Sequence, residues 1–148
     1  MPDFSGKNCT VYSAFIDNVS PFRTFVDDYF AMYREEVEDI LSTIQAIGRL
    51  GAHEFYFKIN EGKYGDGVCA LYDDDVRMLR LYCILFGTEI LILGGGGLKR
   101  VQTWQDDPDL KKCAETMIEM SKEIAGFLKQ KSSEIRWDAN EFYGDLVK

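Results

Sequence analysis

The sequence predicts an α+β fold: an N-terminal strand and a helical hairpin or long helix, a curved antiparallel sheet of about four strands, and a C-terminal helix. Three observations predict it. Apolar residues recur at helical spacing over residues 22–47; short β-branched and aromatic runs parted by polar turns fill 55–93; and a second helical rhythm spans 110–128.

Cys9 to Ile16 contains Val11, Tyr12, Phe15 and Ile16, residue types that suit a first strand. Ser20-Pro21 reads as an N-cap followed by proline at the first helical position, where a missing N–H costs nothing. Phe25, Tyr29, Met32, Val37, Ile40, Leu41, Ile44 and Ile47 then form one apolar stripe that ends at Gly48 and Gly51. The stripe shifts between Tyr33 and Val37, so this segment is either one long helix or two helices joined by a tight turn.

Phe55 to Asn60 and Gly67 to Tyr72 read as strands, with a reversal at Glu61 to Asp66 and a polar turn at Asp73-Asp74-Asp75. Val76 to Phe86 is the longest strand, Gly87-Thr88 turns the chain, and Glu89 to Leu93 returns as a short apolar strand. Such short connections imply an antiparallel meander. Asp107-Pro108 opens the last helix, whose Leu110, Cys113, Met117, Met120, Ile124 and Leu128 share one face. Beyond Ser132, Trp137, Phe142, Tyr143, Leu146 and Val147 make a tail apolar enough to need a docking place. No linker interrupts the chain, so residues 1–148 are expected to form a single domain with a helical extension from about 119.

An apolar fraction of 46% and 14% aromatic residues exclude a disordered chain. Met1 to Asn8 lacks the layout of a signal peptide, and Ile90 to Leu93 is too short to span a bilayer, so no membrane partner and a cytoplasmic location are expected. Cys9, Cys69, Cys83 and Cys113 stand far apart and His53 is the single histidine. Four reduced thiols, and no metal or other cofactor, are therefore expected. The net charge of −8 disfavours non-specific attraction to a polyanion. That acidity sits on the flanks: residues 1–52 hold 4 basic and 8 acidic groups, residues 53–103 hold 6 and 7, and residues 104–148 hold 7 and 10.

Strand alternation places Leu79, Leu81, Cys83 and Leu85 on one face and Met78, Arg80, Tyr82 and Ile84 on the other. Arg80 is thus flanked by apolar neighbours, and its guanidinium must be paired or open onto a concave surface. Gly94 to Gly97 precede Leu98-Lys99-Arg100, which reads as a flexible strand exit delivering two adjacent cations, able to seat a phosphate, to one end of the sheet. The stretch matches neither a P-loop nor a dinucleotide fingerprint.

The words Phe57-Lys58-Ile59, Gly62-Lys63-Tyr64, Val76 through Cys83 and Ile90 through Arg100, followed by Asp107-Pro108-Asp109-Leu110 and Ala114, resemble the RelE/ParE toxin superfamily, closest to its HigB-like branch. The resemblance covers roughly residues 9–118. It implies a small α+β fold, a cognate antitoxin as partner, and a toxin that cleaves mRNA without a metal, often on the ribosome, or that inhibits gyrase in the ParE branch. Position by position, Arg80 matches the sheet arginine, Lys99 and Arg100 match the basic pair after the last strand, and Lys58 matches a lysine of the first hairpin.

These four cations would hold the scissile phosphate and stabilise transition-state charge, with His53 or Tyr82 as candidates for proton transfer. The chain departs from the family where Cys69-Ala70-Leu71-Tyr72 replaces a Glu-x-Arg-like strand, where Asn60 stands in place of a second lysine, and in its acidic balance. The alternatives to the endoribonuclease are therefore a catalytically inactive protein-binding module of the same fold, or a gyrase inhibitor as the resemblance to the ParE branch implies.

Overall fold

The chain begins its architecture at a two-residue reversal. Asp17 and Asn18 hold positive φ values of 51° and 64°, and Ile16 and Val19 exchange backbone hydrogen bonds of 2.9 and 3.0 Å around them. Asp and Asn tolerate the left-handed region, and a type I′ reversal needs two such residues in succession. This turn leads from strand β1 (Thr10–Ser13) into helix α1 (Pro21–Tyr29), whose N-cap Ser20 accepts from the Arg23 amide at 3.2 Å. Helix α2 (Arg34–Leu50) follows after a short turn, so the long helical segment is a pair of helices. Glu35 and Glu36 in its first turn and Arg49 in its last complement the helix dipole.

The computed structural model describes residues 4–59, 67–71, 78–98, 108–129, 136–138 and 141–143. A single 3-10 turn (Glu54–Tyr56) precedes β2 (Phe57–Ile59), β3 (Val68–Leu71), β4 (Leu79–Phe86) and β5 (Ile90–Leu98); α3 (Pro108–Lys129) and a hairpin of β6 (Arg136–Asp138) and β7 (Glu141–Tyr143) complete the order. The predicted turns at Glu61 to Asp66 and Asp73 to Asp75, and the residues Asn60, Val76 and Arg77, lie outside the described residues. Helix α3 runs unbroken through position 119, where the sequence suggested an extension begins.

The protein is α+β, with a mixed sheet in the order β1-β5-β4-β3-β2. Strands β2 to β5 form the expected antiparallel meander, and β1 joins it as a parallel neighbour of β5, pairing Thr10 with Ile90 through Ser13 with Leu93. Both faces of this sheet are covered. Leu79, Leu81, Cys83, Leu91 and Leu93 pack with Phe22 and Phe25 of α1 and Val37, Ile40, Ile44 and Ile47 of α2. Tyr82, Ile84, Ile90 and Ile92 pack on the other face with Leu110, Ala114, Met117, Met120 and Ile124 of α3. The alternation expected for β4 is the observed one.

The glycine run differs from its reading as a flexible exit. Gly94 to Gly97 lie inside β5, and the backbone there is the packing surface. A side-chain carbon at Gly94 would overlap the Met117 thioether; one at Gly95 would stand 3.2 Å from Pro21 Cβ; one at Gly97 would stand 3.4 Å from Leu110 Cδ2. The pairing shifts between Leu81, opposite Gly96, and Cys83, opposite Leu93, so Gly94 and Gly95 together face Tyr82 as a bulge. Glycine is required because α1 and α3 both approach this strand closely.

Gly94→Ala should therefore lower stability by about 1–3 kcal/mol in urea unfolding. Combined with Met117→Ala, which clears the overlapped atoms, the double variant should lose measurably less than the sum of the two single losses.

Candidate functional site

Of the four candidate cations, one has a described side chain, at the end of the sheet where β4 begins and β5 finishes. Arg80 is the second residue of β4 and pairs with Gly97 of β5, while Leu79 pairs with Leu98. Lys99 and Arg100 follow Leu98 directly in the chain and lie outside the described residues. Lys58, described here by its backbone, pairs with Ala70, which pairs with Tyr82. It thus lies two strands from β4, level with Tyr82 and two residues along from Arg80.

Arg80 does not occupy an open concave surface. It is 1% exposed, on a central strand, and its face of the sheet is the one that α3 covers. Removing a guanidinium from water this completely is costly unless hydrogen bonds replace its hydration, so burial makes Arg80 an organising residue of the interior. A phosphate could touch it only if the covering layer moved. Tyr82, one candidate for proton transfer, is likewise fully buried. His53, the other, sits beyond the last turn of α2, where its Nε2 lies 2.9 Å from the Leu50 carbonyl oxygen.

A residue missed by sequence reasoning stands at this sheet end. Glu36 Oε1 accepts a hydrogen bond of 2.7 Å from the Met78 amide, tying the first turn of α2 to the start of β4. Its Oε2 is buried with no hydrogen-bond partner among the described residues. Read alone, Glu36 is one more acidic residue in a helical first turn. Its partner is 42 residues away, so no local pattern announces the contact. Close by, the Tyr29 hydroxyl approaches β5, 3.6 Å from where a side chain at Gly97 would begin.

A second concave region lies between the Ile16–Val19 turn and the two N-terminal helices. This groove of about 880 Å³ is lined by Phe4, Phe15, Val19, Phe22, Val26 and Leu41, together with Arg23 and Asp27. Phe15 and Val19 are 61% and 55% exposed, so the groove presents apolar surface to solvent.

All four cysteines are free thiols. Burial raises the Cys9 thiol from the usual 9.0 to about 11. Burial, and then the nearby Cys69, its direct cross-strand partner, raises Cys83 well above that usual value. Neutral thiols are weak nucleophiles and weak metal ligands. Among the described residues, no group of three His, Cys, Asp or Glu is arranged to hold a metal ion, and no helix is long and apolar enough to cross a membrane.

Glu36→Ala should lower stability by about 1–3 kcal/mol, because it leaves the Met78 amide without its acceptor; a urea midpoint unchanged from wild type would show that water replaces the carboxylate. The raised thiols give a pH dependence of definite sign. The folded state favours neutral Cys9, so its contribution is complete below pH 9.0 and is lost progressively as pH rises toward about 11, where the unfolded chain gains by ionising. Urea midpoints measured from pH 8 upward should fall across this window, and less steeply in Cys9→Ala. Set against family models, curated proteins and solved structures, the chain finds no match in any of the three comparisons, so function rests on the residues and geometry above.

Proposed function

We propose that this chain is the toxin component of a bacterial toxin-antitoxin pair, of RelE-like type, and that it cleaves mRNA as a metal-independent endoribonuclease. The single observation that carries this reading is the pairing of β4 with β5. It seats Arg80 beside Gly97 and makes Leu98, the residue before Lys99 and Arg100, the neighbour of Leu79. The residue that the resemblance matches to the sheet arginine and the anchor of the matched basic pair thus share one end of the sheet.

In this reading the ribose 2′-hydroxyl gives up its proton and its oxygen attacks the adjacent phosphorus. The bond from phosphorus to the 5′-oxygen breaks, the leaving oxygen takes up a proton, and a 2′,3′-cyclic phosphate remains. Negative charge grows on the phosphoryl oxygens, and cations held in place beforehand lower that barrier most. Lys99, Arg100 and Lys58 serve as the phosphate-contacting cations. Arg80 serves from beneath, its buried charge raising the potential at the end of β5.

A second reading is favoured by two specific observations, the 1% exposure of Arg80 and the open apolar groove beside α1. In it the same fold has lost cleavage and acts as a protein-binding module.

Tightly controlled induction in a bacterial host, with primer extension on abundant messages, separates the two. Growth arrest with new message ends is the expected result. Lys99→Ala combined with Arg100→Ala should relieve the arrest and reduce cleavage by roughly 10²-fold or more while the protein stays soluble. Normal growth with intact messages at full soluble expression would instead select the binding module.

A further inference from the structure

Between α2 and β2 the chain turns three aromatic rings toward one another at the surface. Phe55 is 72% exposed, yet its ring is ordered by its neighbours: the His53 ring lies parallel to it at 9° with centroids 5.8 Å apart, and Tyr56 lies 4.4 Å away on a tilt of 39°. Tyr56 in turn meets the edge of the buried Phe57 at 6.4 Å. The stack therefore grades from solvent into the core.

Its backbone is pinned at several points. The Ala52 amide donates to Thr88 at 2.8 Å, His53 to Gly51 at 3.0 Å, and Tyr56 to His53 at 3.1 Å. Gly51, at φ 101°, brings the end of α2 against the His53 ring, which the Leu50 carbonyl also holds through Nε2. An exposed phenyl ring gains little for the monomer's own stability. Holding it in a parallel stack beforehand removes the ordering cost of binding another flat ring.

Cations and carboxylates are balanced on the surrounding segments. In residues 1–52 acidic groups outnumber basic ones, and two of the four basic residues there, Lys7 and Arg49, belong to the segments that meet at the end of α2. Asn8 joins those segments: its side chain donates to the Arg49 carbonyl at 2.7 Å and its amide to Gly48 at 3.2 Å. Residues 4–16 and 40–53 contain no Asp or Glu. Glu54 and Glu89 are the carboxylates on the adjoining segments. Rigid stacked aromatics match the chemistry of unpaired nucleotides, whose bases stack on flat side chains, and the ribonuclease reading supplies such a strand.

The geometry points to His53 and Phe55 as a base-stacking platform for single-stranded RNA, an inference that rests on the ribonuclease reading and assigns it a substrate-holding subsite outside the cleavage centre.

The test uses the purified full chain and fluorescence anisotropy with labelled single-stranded oligoribonucleotides and a duplex of the same sequence. The wild type should bind the single strands and discriminate against the duplex. Phe55→Ala should weaken binding about 5- to 150-fold, the usual span for loss of one stacked base. Phe55→Leu, which keeps apolar bulk without a π face, should weaken it similarly, and Phe55→Tyr should retain it. All three substitutions fall at an exposed position, and unchanged melting confirms the fold.

Wild-type affinity in both Phe55→Ala and Phe55→Leu overturns the platform, and if message cleavage persists the ribonuclease reading survives alone. Binding lost in Phe55→Ala but kept in Phe55→Leu also overturns it, in favour of an apolar contact suited to a protein partner. A wild-type chain that neither binds nor cleaves RNA overturns both readings together.

Discussion

Along Gly94 to Gly97 the backbone of β5 is touched directly by α1 and by α3, because no side chain holds either helix away. This close approach sets the positions of the other elements. It fixes α1 by Pro21 and Tyr29, fixes α3 by Leu110 and Met117, and permits the bulge opposite Tyr82. A strand built of ordinary residues would separate the layers and expose the apolar faces of both helices.

Two-sided burial follows from this approach, and it decides what Arg80 can be. On a sheet open on one side, an arginine between Met78 and Tyr82 would project toward solvent or ligand. Here its face carries α3, and a guanidinium 1% exposed is part of the interior. The buried charge and the chain segment leading to Lys99 and Arg100 remain at the same end of the sheet, joined by the pairing of Leu79 with Leu98. Glu36 adds a carboxylate there through its bond to the Met78 amide. On the proposed reading, contact with phosphate therefore falls to Lys58, Lys99 and Arg100, while Arg80 acts from the interior.

The molecule presents three surfaces of different character. The sheet end holds Arg80 and Glu36, the groove beside Phe15 and Val19 is apolar, and the corner at His53 and Phe55 is aromatic. On the proposed reading, engaging nucleic acid and being restrained by a protein partner call for surfaces of such separate chemistry, since cations suited to phosphate differ from apolar area suited to a packed interface.

Much of the fold was legible in the sequence because it follows from local rules. Ser20-Pro21 caps α1, the stripe ending at Ile47 marks the buried side of α2, and the alternation from Leu79 to Ile84 separates the two faces of β4. The site was legible only in part. Arg80 stands out as a charge in an apolar strand, but whether that strand faces a ligand or a helix depends on where α3 packs, twenty-eight and more residues later in the chain. The glycine run read as flexible because glycine is locally permissive. Only the approach of Pro21 and Met117, from opposite ends of the chain, turns it into a rigid contact. The parallel seat of β1 beside β5, the reach of Glu36 to Met78, and the bond from Asn8 to the Arg49 carbonyl have the same origin. Periodicity and capping act over a few residues and so are written in the sequence, whereas burial and proximity are settled by which distant elements share the core.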